Sequence, residues 1–101
     1  MRFEWNPDKA KINFEKHKVS FEEAQTVFYD EQALLIADPD HSDSEEDRFV
    51  IIGRSKKLHL LVVCHCYRES DEVIRIISAR KATAKESGEY KKTEALYERR
   101  I

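Results

Sequence analysis

The sequence predicts an α+β fold in which an antiparallel sheet carries two N-terminal helices on one face and a C-terminal helix packed at one end. Two apolar runs, residues 58–67 and 73–79, flank the polar segment 68–72, a pattern typical of paired, buried strands. Helix-start signals stand near both ends of the chain. With 101 residues the protein is expected to form a single domain over residues 1–101.

The N-terminal elements are marked by local signals. Residues 2–5 alternate and suit an edge strand. Asn6 as N-cap and Pro7 at the first helical position begin a first helix, and Ser20 with Glu23 forms a capping box for a second. These signals predict an αα-hairpin with a very tight joint.

The spacing of Ala10, Phe14 and His17 predicts that their side chains form the inward face of the first helix. The helix is expected to end at His17 or Lys18.

The remaining strands and the last helix follow in order. Short strands are predicted at 33–36 and 48–53, before the two apolar runs. Thr83 with Glu86 is a further capping box, and the helix it begins is expected to run to about Glu98. Gly88 near its middle costs about 1 kcal/mol relative to alanine.

Charge is unevenly distributed although the net charge is only −2. Residues 29–47 contain eight acidic and no basic residues, whereas residues 75–101 contain eight basic and four acidic ones. This fits a protein that meets a polyanion on one side and a cationic partner, or its own basic surface, on the other; two solvated faces explain it about as well. No membrane-spanning run or signal peptide is recognisable, so a cytoplasmic location is expected.

The histidines and cysteines raise the question of a zinc site. Strand alternation places His59 and His65 on one face and Cys64 and Cys66 on the other, and structural zinc sites usually take paired ligands from turns. We therefore expect no metal or cofactor, and both cysteines as free thiols.

Three arginines interrupt the apolar runs. Arg68 stands where the first run ends, Arg75 lies inside the second, and Arg80 follows it. Guanidinium groups match phosphate, so the arginines suggest an anion site, although surface ion pairs with neighbouring carboxylates are a simpler alternative. Arg75 and Arg80 are five positions apart and cannot share a face of a regular strand. A bulge, or a strand that ends at Ala79, would resolve this conflict.

Two residues are candidate proton acceptors. His17 ends the first helix, where it can equally cap terminal carbonyl groups. Glu46 can act as a base or pair with Arg48. The sequence leaves both choices open.

Four separated motifs resemble the BrnT family of type II toxins. They are Phe3-Glu4-Trp5-Asn6 with Lys9, Asn13 with Lys16-His17-Lys18-Val19-Ser20-Phe21-Glu22-Glu23-Ala24, Asp38-Pro39-Asp40-His41-Ser42, and Arg75-Ile76-Ile77-Ser78-Ala79-Arg80 with Ala82. Lys18 stands where the family commonly has glycine, so the tight joint must accept a non-glycine residue, as a left-handed conformation would allow.

The resemblance implies a RelE-like ribonuclease fold and inhibition of translation by RNA cleavage. It also implies a BrnA-type ribbon-helix-helix antitoxin as partner, with DNA contacted only through that antitoxin. The residues expected to act in catalysis are Arg68, Arg80, His17 and Glu46, and those expected to bind RNA are Arg75, Lys81 and Arg48. A non-catalytic RNA- or protein-binding module and a zinc-binding regulator are the alternatives.

Overall fold

The computed structural model describes residues 1–38 and 48–100, with the backbone alone for residues 97–100. The elements are β1 (Arg2–Glu4), α1 (Pro7–His17), α2 (Phe21–Thr26), a 3-10 turn (Val27–Tyr29), β2 (Leu34–Ala37), β3 (Phe49–Arg54), β4 (Leu60–Arg68), β5 (Val73–Lys81) and α3 (Ala84–Arg100). None of the helices in these ranges is both long and apolar enough to cross a membrane.

The sheet has five strands in the order β1-β5-β4-β3-β2. Strands β2 to β5 form the predicted antiparallel meander, which confirms the α+β class. The expectation of a purely antiparallel sheet was wrong for β1, which pairs parallel to β5 with Phe3 opposite Ile74. No hairpin joins these two strands, so no turn fixes their relative direction as it does for sequential neighbours.

The helices cover opposite faces of the sheet. The predicted pair α1 and α2 packs on one face, where Phe21 and Val27 lie in the main core with Val63. The C-terminal helix was expected at one end of the sheet, and the structure places its Tyr90 on the other face, against Ile52 and Val62. We call this second side of the sheet the α3 face.

The joint between α1 and α2 has the conformation that the sequence demanded. Lys18 lies in the left-handed region, with φ 60° and ψ 26°, and its N–H donates to the carbonyl of Phe14 at 2.8 Å. Ser20 caps α2 by accepting from the N–H of Glu23. The expected inward position of Phe14 was wrong, because its side chain is exposed and Asn13 is buried in its place.

A β-bulge in β5 decides which side chains share the α3 face. Cys64 pairs with Ser78 while His65 pairs with Ile76, so Ile77 is an extra residue in β5. The bulge shifts the alternation by one position. As a result Arg75, opposite Cys66, and Arg80, opposite Val62, both belong to the α3 face.

Candidate functional site

The α3 face is only partly covered by its helix, and the remainder forms a groove of about 560 Å³. Apolar side chains of the sheet, including Val50, Ile52 and Val62, line its floor. Charged residues at the groove are Asp38, Arg80, Lys85, Glu86 and Glu89. This groove, with the arginines on the same face, is the candidate functional site.

Arg80 is held by a carboxylate at the start of α3. Its two terminal nitrogens donate to the two oxygens of Glu86 at 2.7 and 2.8 Å, a bidentate pair. The hydrogen bond from Arg80 lowers the pKa of Glu86 to about 2, against the opposing effect of burial. Glu86 also accepts from the N–H of Thr83, and Thr83 Oγ1 accepts from the N–H of Glu86, so the predicted capping box is present.

Arg75 pairs with β1 across the parallel part of the sheet. Its Nη1 donates to Oε2 of Glu4, the residue directly opposite, at 2.6 Å. Arg68 ends β4 two positions after Cys66 and is exposed, so strand alternation puts it on the α3 face as well. All three arginines therefore share one face of the sheet.

Arg48 and Asp38 lie beside Cys64 at the β2–β3 side of this face. The N–H of Asp38 donates to the carbonyl of Arg48 at 2.9 Å. Burial raises the pKa of the Cys64 thiol and the charge of Asp38 adds to the rise, while Arg48 and a hydrogen bond with Ser78 oppose it. Cys64 is thus a protonated thiol, and neither it nor Cys66 is in a disulfide bond, as predicted.

The structure does not bring His17 to the arginines. It is half-buried in the last turn of α1, a helix that packs on the opposite face of the sheet from Arg80. Lys81 is exposed and, by alternation, faces away from Arg80. Glu46 lies outside the described residues.

His65 has a structural role. It is fully buried, with Nδ1 at 3.1 Å from the carbonyl of Val63 and Nε2 at 3.3 Å from the hydroxyl of Tyr67. Burial lowers the pKa of its imidazole. Within residues 1–38 and 48–100, no group of histidine, cysteine and carboxylate side chains is arranged to hold a metal ion.

Comparison with known proteins adds to this geometry. Residues 5–86 match the family described as "Ribonuclease toxin, BrnT, of type II toxin-antitoxin system". The chain belongs to the BrnT family. A search of curated protein sequences found no match.

The crystal structure of the Brucella abortus ribonuclease toxin, BrnT, determined at 1.1 Å, has the same fold. It superposes with a TM-score of 0.62 at 21% identity, over 82% of this chain and 97% of the Brucella chain. The family is thus shown by the sequence comparison, and the fold is shown by the structural one.

The partners of the arginines in this BrnT family member were not identified from the sequence. The sequence suggested ion pairs with neighbouring carboxylates, whereas the partners of Arg75 and Arg80 are Glu4 and Glu86. The capping-box spacing did single out Glu86, but its contact with Arg80 depends on the turn between β5 and α3.

Proposed function

We propose that this member of the ribonuclease toxin family cleaves RNA without a metal ion, inhibits translation in the cytoplasm, and is neutralised by a BrnA-type antitoxin. The observation that carries the proposal is the alignment of Arg68, Arg75 and Arg80 on one open face of the sheet, in a chain of the BrnT family. A row of guanidinium groups that are at least partly exposed is suited to the phosphates of a single RNA strand.

Metal-free cleavage of RNA needs a group that takes the proton of the 2′-hydroxyl and cations that stabilise the charge developing on the phosphate. We assign the second task to Arg80, and we assign Arg68, which lies six β4 positions from the partner of Arg80, to a neighbouring phosphate of the same RNA strand. For the first, Glu46 is preferred over His17, because His17 packs on the far side of the sheet and Glu46 precedes Arg48 by two positions.

The remaining cations position the substrate. Arg75 and Arg48 extend the arginine row along the α3 face, and Lys81 follows Arg80 at the end of β5. Contacts of this kind fix the register of the strand without reading its sequence.

The decisive experiment is cleavage of a labelled RNA by the purified chain in excess chelator. Arg80→Ala and Arg68→Ala are expected to lose at least about tenfold in rate, which corresponds to roughly 1.4 kcal/mol of transition-state stabilisation. Lys11→Ala, an exposed lysine on α1, is the matched control and should cleave normally. Activity that disappears with chelator and returns with a divalent cation would contradict metal independence.

A non-catalytic binding module is the second candidate, and the Arg80–Glu86 pair favours it, since a guanidinium occupied by a carboxylate is less available for catalysis. Intact RNA after incubation, together with retained RNA binding, would support this alternative. Co-purification with the product of an adjacent ribbon-helix-helix reading frame would test the antitoxin assignment separately.

A further inference from the structure

A second cleft, of about 360 Å³, lies at the end of the sheet where the β3–β4 turn meets α3. Its polar lining residues are Arg54, His59, Lys81, Ser87 and Lys91. We call it the basic cleft. Helix α3 separates it from the groove, because Lys85, Glu86 and Glu89 line the groove whereas Ser87 and Lys91 line the cleft.

His59 is held in place by a buried carboxylate. Its Nδ1 lies 2.8 Å from Oε2 of Glu23, whose side chain is 6% exposed, whereas the His59 side chain is 47% exposed. Burial alone would raise the pKa of Glu23, but hydrogen bonds from Ser55 and His59 together with the charge of Lys57 lower it. Glu23 is therefore an anion that accepts from Nδ1–H. The orientation leaves Nε2 for a ligand.

The turn that carries His59 is itself organised by the same carboxylate. Ser55 Oγ donates to Glu23 at 2.6 Å and accepts from the N–H groups of Lys57 and His59. The N–H of Ser55 also donates to the carbonyl of His59 at 2.8 Å. An exposed histidine thus sits on a rigid support rather than on a loose turn, as a ligand-binding side chain requires.

Two cations of the basic cleft, Lys81 and Lys91, are not neutralised by a described carboxylate. In the part of the chain that the structure describes, Lys81 and Lys91 are exposed and make no ion pair. Arg54 is partly engaged, with Nε at 3.4 Å from Glu94 and its guanidinium over the ring of Tyr90. None of the described lining residues of the cleft is acidic.

We propose that the basic cleft binds a phosphate group of the RNA strand, with Lys81 and Lys91 supplying charge and His59, oriented by Glu23, donating a hydrogen bond from Nε2–H as an imidazolium. The inference rests on the proposed function, since it identifies a second point of contact for the same substrate. Arg80 and Lys81 are consecutive residues that line the groove and the cleft respectively, so the two sites adjoin at the end of β5, and an RNA strand that passes over this end contacts both.

The test uses a short, fully 2′-O-methylated RNA oligonucleotide, which binds but lacks the 2′-hydroxyl needed for cleavage. Lys91→Gln removes one charge from the cleft. Lys92→Gln is the matched control, because it removes the same charge from the next position of α3 and Lys92 lines neither site. Both lysines are exposed, so both variants should fold. Affinity is measured over a range of salt concentrations, because each phosphate contact contributes about 0.7 to the slope of log K against log salt for a single strand.

We expect Lys91→Gln to bind several-fold more weakly, with a slope shallower by about 0.7, and Lys92→Gln to match the wild type. Inorganic phosphate should shift the NMR signals of the His59 ring in the wild type, and less in Lys91→Gln. Equal effects of the two lysine variants on RNA binding would overturn the inference. So would NMR signals of the His59 ring that do not shift when phosphate is added. Weaker antitoxin binding by Lys91→Gln with unchanged RNA binding would assign the cleft to a protein partner and overturn it as well.

Failure of this inference is distinguishable from failure of the proposed function. A wild-type chain that binds the methylated oligonucleotide through Lys91 but leaves natural RNA intact would contradict the ribonuclease mechanism alone. A chain that cleaves RNA while Lys91→Gln binds the oligonucleotide normally would contradict the basic cleft alone.

Discussion

The side-chain amide of Asn13 bonds both backbone polar groups of Ala79. Nδ2 donates to the carbonyl at 2.8 Å and Oδ1 accepts from the N–H at 3.1 Å, while Nδ2 also donates to the carbonyl of Val19 at 3.0 Å. Strand β1 pairs with β5 only at residues 73–75, so farther along that edge the amide of Asn13 takes the place of a neighbouring strand. Because Arg80 follows directly, α1 fixes the strand end that presents it.

Replacing Asn13 by alanine should destabilise the protein by about 2–4 kcal/mol, because two buried backbone groups of Ala79 lose their partners. Equilibrium urea unfolding measures the change. Ile12→Ala, at a neighbouring position that is 61% exposed, serves as control and should fall within about 0.5 kcal/mol of the wild type. A loss below about 1 kcal/mol in Asn13→Ala would contradict the bracing role.

Acid should weaken the protein through Glu86. Its pKa is lowered in the folded state, from 4.5 to about 2, so its contribution to stability is complete above about pH 4.5 and is lost as the pH falls toward 2. Glu86→Gln removes this titration and should flatten the pH dependence of unfolding in that window. Urea unfolding at several pH values gives the free energy of unfolding of both proteins as a function of pH. The same pH dependence in both proteins would count against the pairing of Glu86 with Arg80.

Releasing Arg80 from its carboxylate should strengthen RNA binding. We expect Glu86→Gln to bind the methylated oligonucleotide roughly three- to tenfold more tightly, since a guanidinium becomes available for phosphate. Glu89→Gln removes the same charge from the same groove, although no bond joins Glu89 to Arg80 among the described contacts. Fluorescence anisotropy compares the two, and an equal gain in both would attribute the effect to net charge.

The two glycines should respond to alanine with opposite signs. A Cβ at Gly88 meets nothing within 4 Å, so Gly88→Ala should stabilise α3 by about 1 kcal/mol. At Gly53 a Cβ would lie 2.9 Å from Cγ1 of Val27 and 3.0 Å from Cβ of Ala33, so Gly53→Ala should destabilise by roughly 1–3 kcal/mol. Thermal unfolding of both variants tests the pair, and a stable Gly53→Ala protein would show that the neighbours can shift.

The sequence predicted the elements that local signals specify. The caps Asn6, Ser20 and Thr83 precede the three described helices, because each satisfies backbone N–H groups within three residues of itself. The direction of β1 and the burial of Asn13 were missed, since each depends on contacts with residues about 70 and 66 positions away. Helical spacing predicted that Phe14 is buried. An apolar pattern cannot predict that a polar side chain, here Asn13, is buried because it bonds the backbone of a strand.

The sequence predicted which residues belong to the candidate site better than it predicted their contacts. The sequence singled out the arginines and recognised that Arg75 and Arg80 conflict in parity, and the structure resolves this with a bulge. The sequence did not predict the pairs Arg80–Glu86 and His59–Glu23, because these contacts depend on how a turn and a helix pack against the sheet. The separation of His17 from the arginines was not anticipated for the same reason, since the face on which a residue lies is decided only when α1 packs against the sheet.

Ile77 has a consequence for comparing sequences within the family. An alignment that places a gap at this position keeps every charged residue and looks harmless. In the folded strand a relative without this residue forms a regular ladder with β4, and its two arginines, then four positions apart, still share the α3 face. A relative that keeps five positions between them needs the same bulge, because a regular strand would turn Arg80 away from the groove and bring Lys81 into it. The spacing of the two arginines, read together with the bulge, therefore identifies the relatives in which one face carries both.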